Sequence, residues 1–305
     1  MSAVEDVVVS LPSSLSHLGK STRARAVGDP ALPAIVALGG ISANRFVADG
    51  PGGGWWTGLG RVADPAHYRV VGLDFAADES GRAAPTSEEQ ARVLCAALDA
   101  LGIERAEAVI AASYGGMVAL ALARHFPERL RRLVAISAPA TPHPASTAAR
   151  ELQRRVVALA LESSRGAEGL AIARGLAMLT YRTREEFGLR FEGGIGEADP
   201  LAVSEPGRYL RARGEAYQNV MSPGRFLSLS AAIDRHRVDP SRITIPVLVI
   251  GATSDIIVPA AQTEALAAAL PDARLHILDC LYGHDMFLKE ADKIGALAAA
   301  FLEEP

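Results

Sequence analysis

Cysteine is scarce in this sequence, which contains only Cys95 and Cys280 among its 305 residues. Two cysteines cannot form a disulfide framework, and both lie in apolar segments, so we expect buried free thiols in a reducing compartment. The N-terminus has no basic start followed by a long apolar stretch, so no secretory signal is expected. The longest apolar segments are too short to span a bilayer. These absences predict a cytoplasmic protein without a membrane anchor.

The sequence also has no excess of positive charge. It contains 31 Lys and Arg against 35 Asp and Glu, a net charge of −4. Nucleic acid and anionic membranes are therefore not expected partners. The hydrophobic fraction of 49% predicts a compact globular protein, and the length suits a single α/β unit.

Strand-like and helix-like segments alternate along most of the chain. Strands are predicted at 33–40, 68–75, 106–110, 132–140, 243–255 and 273–280. A predicted helix over 86–102 opens with a capping box, Thr86 followed by Glu89. Continuously apolar strands that alternate with helices predict an α/β fold with a mostly parallel sheet flanked by helices.

The alternation stops at about residue 141. Helical patterns at 146–164, 167–180, 183–191 and 209–235 follow without a strand-like run between them. We therefore expect a core domain formed by 1–140 and 236–305. The intervening segment, 141–235, is predicted to be a helical lid insertion over the sheet.

A serine lies at one strand-to-helix junction, in AASYGGMVAL at 111–120. Ser113 follows the apolar run and precedes Gly115 and Gly116, with a helical pattern from 116. This order is typical of a nucleophile elbow, which exposes a hydroxyl at a helix N-terminus. Ala111 stands where the usual pattern has glycine, and small residues at such a junction also serve packing alone.

Two further residues complete a catalytic set. Asp255 follows one predicted strand and His284 follows the next, so both lie at the sheet edge predicted for Ser113. The chain order Ser, Asp, His is that of α/β hydrolases. His284 is the candidate base and Asp255 the residue that orients it. Alternatively, Asp255 is a turn or cap residue and His284 a packing residue, and Asp279 and Asp285 are competing acids.

An oxyanion hole needs two backbone N–H groups. Tyr114, directly after the candidate nucleophile, is expected to provide one. Leu38 and Gly39, at the end of the predicted 33–40 strand, are expected to provide the other, although the glycines there also suit a plain turn.

With these residues in view, the chain resembles the homoserine O-acyltransferases, a family of methionine biosynthesis with the α/β-hydrolase fold. The similarity covers nearly the whole chain. The segments that carry it are LGGISANR, GGWWTGLG, GLDF, SYGGMVAL, AMLTYRTREEF, SLSAAIDRHRVD and GHDMFLKE.

The resemblance implies transfer of an acetyl or succinyl group from acyl-coenzyme A to the hydroxyl of homoserine, through an ester on Ser113. It implies that Arg174, Tyr181 and Asp285 bind the zwitterionic acceptor. It further implies a homodimer, with acyl-coenzyme A as co-substrate and with no bound cofactor or metal. Without the resemblance, Arg174 would be read as a solvated helix residue and Asp285 as an acid at a helix N-terminus.

Several alternatives stay open. Acetyl and succinyl donors are not distinguished, and serine differs from homoserine by one methylene. An esterase or thioesterase on the same scaffold, or a binding protein that has kept the fold, is also compatible. Ala111 and an altered lid segment, 217–224, depart from the family pattern. Arg154 and Arg155 are candidates for contact with coenzyme A phosphates, or simply part of a polar helix face.

Overall fold

The computed structural model describes residues 3–48, 53–194, 199 and 202–304. Eight strands in these ranges form one sheet. They are β1 (Val4–Ser10), β2 (Ser21–Val27), β3 (Ala34–Leu38), β4 (Arg69–Leu73), β5 (Ala106–Ala112), β6 (Leu130–Ile136), β7 (Val247–Ala252) and β8 (Ala273–Leu278).

The strand order is β1-β2-β4-β3-β5-β6-β7-β8. The β1–β2 and β2–β4 pairs are antiparallel, and every pair from β4 to β8 is parallel. The predicted mostly parallel sheet is thus confirmed. The strands β1 and β2 were not predicted. They lie at one side of the sheet, and charged residues stand between their apolar residues, so neither strand shows a continuous apolar run.

Ten α-helices lie in the described ranges. They are α1 (Ser87–Ala100), α2 (Tyr114–His125), α3 (Pro144–Glu162), α4 (Gly166–Tyr181), α5 (Arg184–Arg190), α6 (Glu205–Tyr217), α7 (Pro223–Asp234), α8 (Ala260–Ala269), α9 (Met286–Lys289) and α10 (Ala291–Leu302). Within the same ranges, no helix combines the length and the apolar character that a membrane crossing requires.

The core lies on both faces of the sheet. Along β5, Val109 and Ala111 belong to one buried cluster, whereas Ala108, Ile110 and Ala112 belong to the other. Successive side chains of a strand point to opposite faces, so a strand covered on both sides must be apolar at every position. This requirement explains the continuous apolar runs in the sequence.

The lid, defined here as α3 to α7, lies in the chain between β6 and β7, and the described residues of this segment contain no strand. The single helical pattern predicted at 209–235 is in fact two helices. Ser222 ends the break between α6 and α7 by accepting a hydrogen bond from the Arg225 N–H, and Pro223 occupies the first helical position.

Both cysteines are free thiols, but the prediction that they are buried is wrong, since Cys95 and Cys280 are only partly buried. Burial of the Cys95 side chain still raises its pKa to about 11. The helix predicted after Asp285 is likewise two helices, the four-residue α9 and the longer α10.

Candidate active site

Ser113 connects β5 to α2 in a strained backbone conformation, with φ 55° and ψ −124°. A β-carbon at Gly115 would lie 2.6 Å from Cβ of Leu38, and one at Gly116 would lie 2.5 Å from Cβ of Ala138. The glycines are therefore required for close packing of α2 against β3 and against the residues after β6. Ala111 is fully buried within β5, so the sheet accommodates its methyl group.

Three side chains meet at the carboxyl edge of the sheet. The Oγ atom of Ser113 lies 2.9 Å from Nε2 of His284, and Nδ1 of His284 lies 2.8 Å from Oδ2 of Asp255. The N–H groups of Ile257 and Val258 donate to the other Asp255 oxygen at 2.8 and 3.0 Å. These contacts fix the carboxylate, which in turn orients the imidazole.

His284 and Asp255 are both buried, with relative exposures of 4% and 3%. Burial by itself lowers the pKa of His284, but the charge of Asp255 and its hydrogen bond raise it, and the net shift is upward. The charge of Asp285 also raises this pKa, and the charge of Arg150 lowers it. An imidazole with a raised pKa is a stronger base for the Ser113 proton.

The predicted oxyanion loop lies against the start of α2. The Gly115 N–H donates to the Gly39 carbonyl at 2.8 Å, which ties the end of β3 to the residues after Ser113. Tyr114 is the first residue of α2, where a backbone N–H has no partner within the helix. Leu38, Gly39 and Tyr114 therefore lie at one place beside Ser113.

A cavity of about 190 Å³ contains the predicted acceptor residues. Arg174, Tyr181 and Asp285 line it together with Ser113 and His284. The Arg174 guanidinium carbon lies 5.4 Å from the centre of the Tyr181 ring, and the Tyr181 and His284 ring centres are 5.7 Å apart. Among the described residues, no acidic side chain forms an ion pair with Arg174. We call this space the acceptor cavity.

The sequence analysis missed two residues beside Asp285. Nε of Arg182 donates to Oδ2 of Asp285 at 2.8 Å, and the same guanidinium pairs with the buried Glu186. The four-residue spacing of Arg182 and Glu186 is visible in TYRTREEF, but their proximity to Asp285 is not. Oδ1 of Asp285 has no hydrogen-bond partner in the described part of the chain.

A second cavity, of about 180 Å³, opens on the other side of the candidate nucleophile. It shares Ser113, Tyr181, Ile233 and His284 with the acceptor cavity. Its remaining walls come mainly from α3, from the residue after β6 and from the loop after β7, with Met117 of α2 and Thr180 of α4. We call it the α3 cavity. The reacting hydroxyl thus lies between two spaces that could hold different parts of a substrate pair.

A third cavity, of about 380 Å³, adjoins the acceptor cavity through Ile41, Ser42 and Ala43 and is also lined by Arg23, Arg45 and Arg225. The two arginines proposed from the sequence as phosphate contacts lie elsewhere. Arg154 is bound to Asp234 and Ser230, and Arg155 is exposed on α3. Arg154 is therefore not available for a coenzyme phosphate.

The described residues contain no group of three or more His, Cys, Asp and Glu side chains with the geometry of a metal site.

Comparison with known proteins gives a consistent result. Residues 33–291 match the model of the alpha/beta hydrolase fold family. A homoserine O-succinyltransferase of Xanthomonas campestris is 38% identical, over 97% of this chain and 83% of the relative. A homoserine O-acetyltransferase of Thermus thermophilus is 33% identical, over 82% of this chain and 72% of the relative. The crystal structure of esterase E22 superimposes with a TM-score of 0.87 at 18% identity, covering 99% of this chain and all of that one.

Proposed function

This chain belongs to the homoserine O-acyltransferases, enzymes with the α/β-hydrolase fold, and we propose from that premise that it moves an acyl group from acyl-coenzyme A to the hydroxyl of L-homoserine. The observation that carries the proposal is the hydrogen-bonded series Ser113–His284–Asp255, which opens into the cavity lined by Arg174 and Asp285.

In the first step, Nε2 of His284 takes the Ser113 proton and Oγ attacks the thioester carbonyl. The N–H of Tyr114 and the Leu38–Gly39 loop are the proposed donors to the resulting oxyanion. The C–S bond then breaks, and the thiolate of coenzyme A leaves with the proton held by His284. Ser113 retains the acyl group as an ester.

In the second step, the homoserine hydroxyl gives its proton to His284 and attacks the ester. The carbonyl carbon passes to the acceptor oxygen, and the proton returns to Oγ of Ser113. Arg174 is suited to the acceptor carboxylate because no acidic side chain of the described residues pairs with it, whereas the free Oδ1 of Asp285 is suited to the ammonium. The Tyr181 ring lies near both the Arg174 guanidinium and the His284 imidazole.

Coenzyme A is assigned to the third cavity, which adjoins the acceptor cavity. Arg23 is exposed there and its side chain forms no hydrogen bond or ion pair within the described part of the chain, so its guanidinium is free for a phosphate. Arg45 and Arg225 already bind acidic residues and are less available. The KM for acyl-coenzyme A is expected to rise with salt concentration, and this dependence is expected to be weaker in Arg23→Met. Measuring this KM at several salt concentrations tests the assignment.

Exposed apolar side chains on the lid support the homodimer that the family resemblance implies. Leu152 and Leu159 on α3 are 60% and 63% exposed, and Ile172 and Leu179 on α4 are 50% and 49% exposed. Each pair is seven residues apart, so each lies on one face of its helix. Sedimentation of the full chain tests this proposal, and a monomer at micromolar concentration would contradict it.

The experiment that tests the function measures the products formed from acetyl- and succinyl-coenzyme A with and without homoserine. Transfer predicts O-acylhomoserine, and it predicts faster thiol release when homoserine is present. An esterase or thioesterase predicts only the free acid, at a rate that homoserine does not change. Serine, whose side chain is one methylene shorter than that of homoserine, is tested as an alternative acceptor.

A further inference from the structure

The α3 cavity contains a positive charge and no negative one. Arg150 lines it with Gln153 and Ser137, and none of its lining residues is acidic. An acetyl group ends in a methyl and requires only apolar space. A polar, cationic space beside the nucleophile is suited to an acyl chain that ends in an anion.

The charge of Arg150 is not fully neutralised by the acidic side chain that it binds. Arg150 and Arg154, one turn apart on α3, both bind Asp234 at the end of α7, each at 2.6 Å. The three side chains are 11%, 19% and 12% exposed. Two guanidinium groups therefore share one carboxylate in a largely dry place, where an additional anion would be stabilised. Of the two arginines, only Arg150 lines the cavity.

Arg150 also has free hydrogen-bond donors. Its Nε and Nη2 atoms both donate to Oδ1 of Asp234, at 2.8 and 2.6 Å. Its Nη1 atom has no hydrogen-bond partner in the described ranges. A guanidinium carries five N–H groups in a planar fork, so Arg150 can hold Asp234 with one edge and a second carboxylate with another.

A buried hydroxyl in this cavity is without a partner. Ser137, directly after β6, is 1% exposed, and its Oγ has no hydrogen-bond partner among the described residues. Buried polar groups are nearly always hydrogen-bonded, so this hydroxyl indicates a missing polar ligand. Gln153, which is 5% exposed, lines the same cavity and offers its side-chain amide as a further donor.

The cavity and the catalytic base are electrostatically coupled. The charge of Arg150 lowers the pKa of His284, against the upward effect of Asp255 and Asp285. A carboxylate bound at Arg150 would offset this effect. Because Arg150 and Ser113 line the same cavity, an acyl group attached to Ser113 can extend toward this cation.

We propose that the α3 cavity binds the terminal carboxylate of a dicarboxylic acyl group, and that succinyl-coenzyme A is the preferred donor. This inference rests on the proposed function of Ser113 as the acylated nucleophile. The acyl chain extends from the Ser113 ester into the cavity. Its carboxylate accepts hydrogen bonds from Nη1 of Arg150, from Ser137 and from Gln153. The bonds that form and break at the acyl carbonyl are the same as in the proposed reaction.

The test compares kcat/KM for succinyl- and acetyl-coenzyme A, with homoserine as acceptor, in the wild-type chain and in Arg150→Met. Loss of a charge-assisted contact is expected to lower the succinyl-to-acetyl ratio by about 10- to 100-fold. Arg154→Met is the matched control, because it removes the other partner of Asp234 without changing the cavity lining. Its ratio is expected to fall by less than in Arg150→Met, since it lowers the local positive charge but removes no contact with the acyl chain.

Ser137→Gly is a second variant. Ser137 has a φ of 47°, a conformation that glycine adopts readily, so the substitution does not strain the backbone. It is expected to lower the same ratio. A wild-type chain that prefers acetyl-coenzyme A, or equal losses with both donors in Arg150→Met, would overturn the inference. Either result leaves the proposed function standing, whereas absence of transfer to homoserine from both donors would overturn the proposed function itself.

Discussion

Arg182 donates a 2.8 Å hydrogen bond from Nε to Oδ2 of Asp285, across 103 residues of sequence, and so connects the end of α4 to the residue after His284. The same guanidinium pairs with Glu186, and both side chains are less than a tenth exposed. The cluster joins the lid to the core beside the acceptor cavity.

Arg182→Met is therefore expected to destabilise the fold. It leaves Glu186 with only Arg190 and leaves Asp285 without its partner, and breaking a buried ion pair typically costs about 3 kcal/mol. Urea unfolding measures the change in the free energy of unfolding. Arg190→Met is the control, because Arg190 is 39% exposed and is expected to cost less than about 1 kcal/mol. Equal effects of the two substitutions would contradict this account.

Ser113→Ala is expected to abolish formation of the acyl-enzyme and to lower kcat by at least about 10⁴-fold, because no other hydroxyl of the described residues is bonded to His284. Intact mass after exposure to each acyl-coenzyme A, without acceptor, detects the ester directly. Acylation that persists in Ser113→Ala would place the nucleophile elsewhere.

The pH dependence of acylation is expected to follow the protonation of His284. The neutral imidazole is the base, so the rate rises with pH through the pKa of His284, which is raised above its ordinary value of 6.5. Asp255→Asn removes the main group that raises this pKa, so the midpoint moves to lower pH, and kcat falls by about 10³- to 10⁴-fold as the imidazole loses its orientation.

The control for this pH profile is Asp279→Asn, which neutralises a nearby exposed carboxylate that hydrogen-bonds to Thr253 instead of the imidazole. Its midpoint is expected to match that of the wild-type chain. A midpoint in Asp255→Asn that is unchanged or higher would argue against the proposed role of Asp255.

Arg174→Met is expected to raise the KM for homoserine by about 10- to 100-fold, because the acceptor carboxylate loses a charge-assisted contact. Acylation without acceptor is expected to be unchanged, since this step does not involve the acceptor. Steady-state kinetics with Arg155→Met, an exposed arginine on α3, provide the comparison. A homoserine KM that does not change in Arg174→Met would remove Arg174 from the acceptor site.

Gly115→Ala is expected to displace the proposed oxyanion loop, because its β-carbon would lie 2.7 Å from the Gly39 carbonyl oxygen. Loss of one oxyanion donor lowers kcat by about 10²- to 10³-fold, and the rate of acylation measures it. Gly40→Ala is the matched control, since a β-carbon there would have no neighbour within 4 Å. Similar acylation rates in the two variants would count against this oxyanion hole.

The fold was predictable from local patterns. The strands β3 to β7 are covered on both faces, so nearly every residue in them is apolar. The capping box of Thr86 and Glu89 correctly indicated where α1 begins. The strands β1 and β2 were not predicted, because one-sided burial and charged residues weaken the same pattern. The break between α6 and α7 was also missed, although Ser222 and Pro223 give a local indication of it.

The sequence by itself determined which residues reach the carboxyl edge of the sheet. Ser113, Asp255 and His284 each follow a parallel strand, and parallel strands end at the same edge, so their order along the chain was sufficient to bring them together. Only the tertiary structure decided which lid side chains face them. Arg182 reaches Asp285, and Arg150 lines the α3 cavity, because of the way the helices pack. The mutual orientation of these helices depends on contacts between residues far apart in the chain, and no local periodicity encodes such contacts.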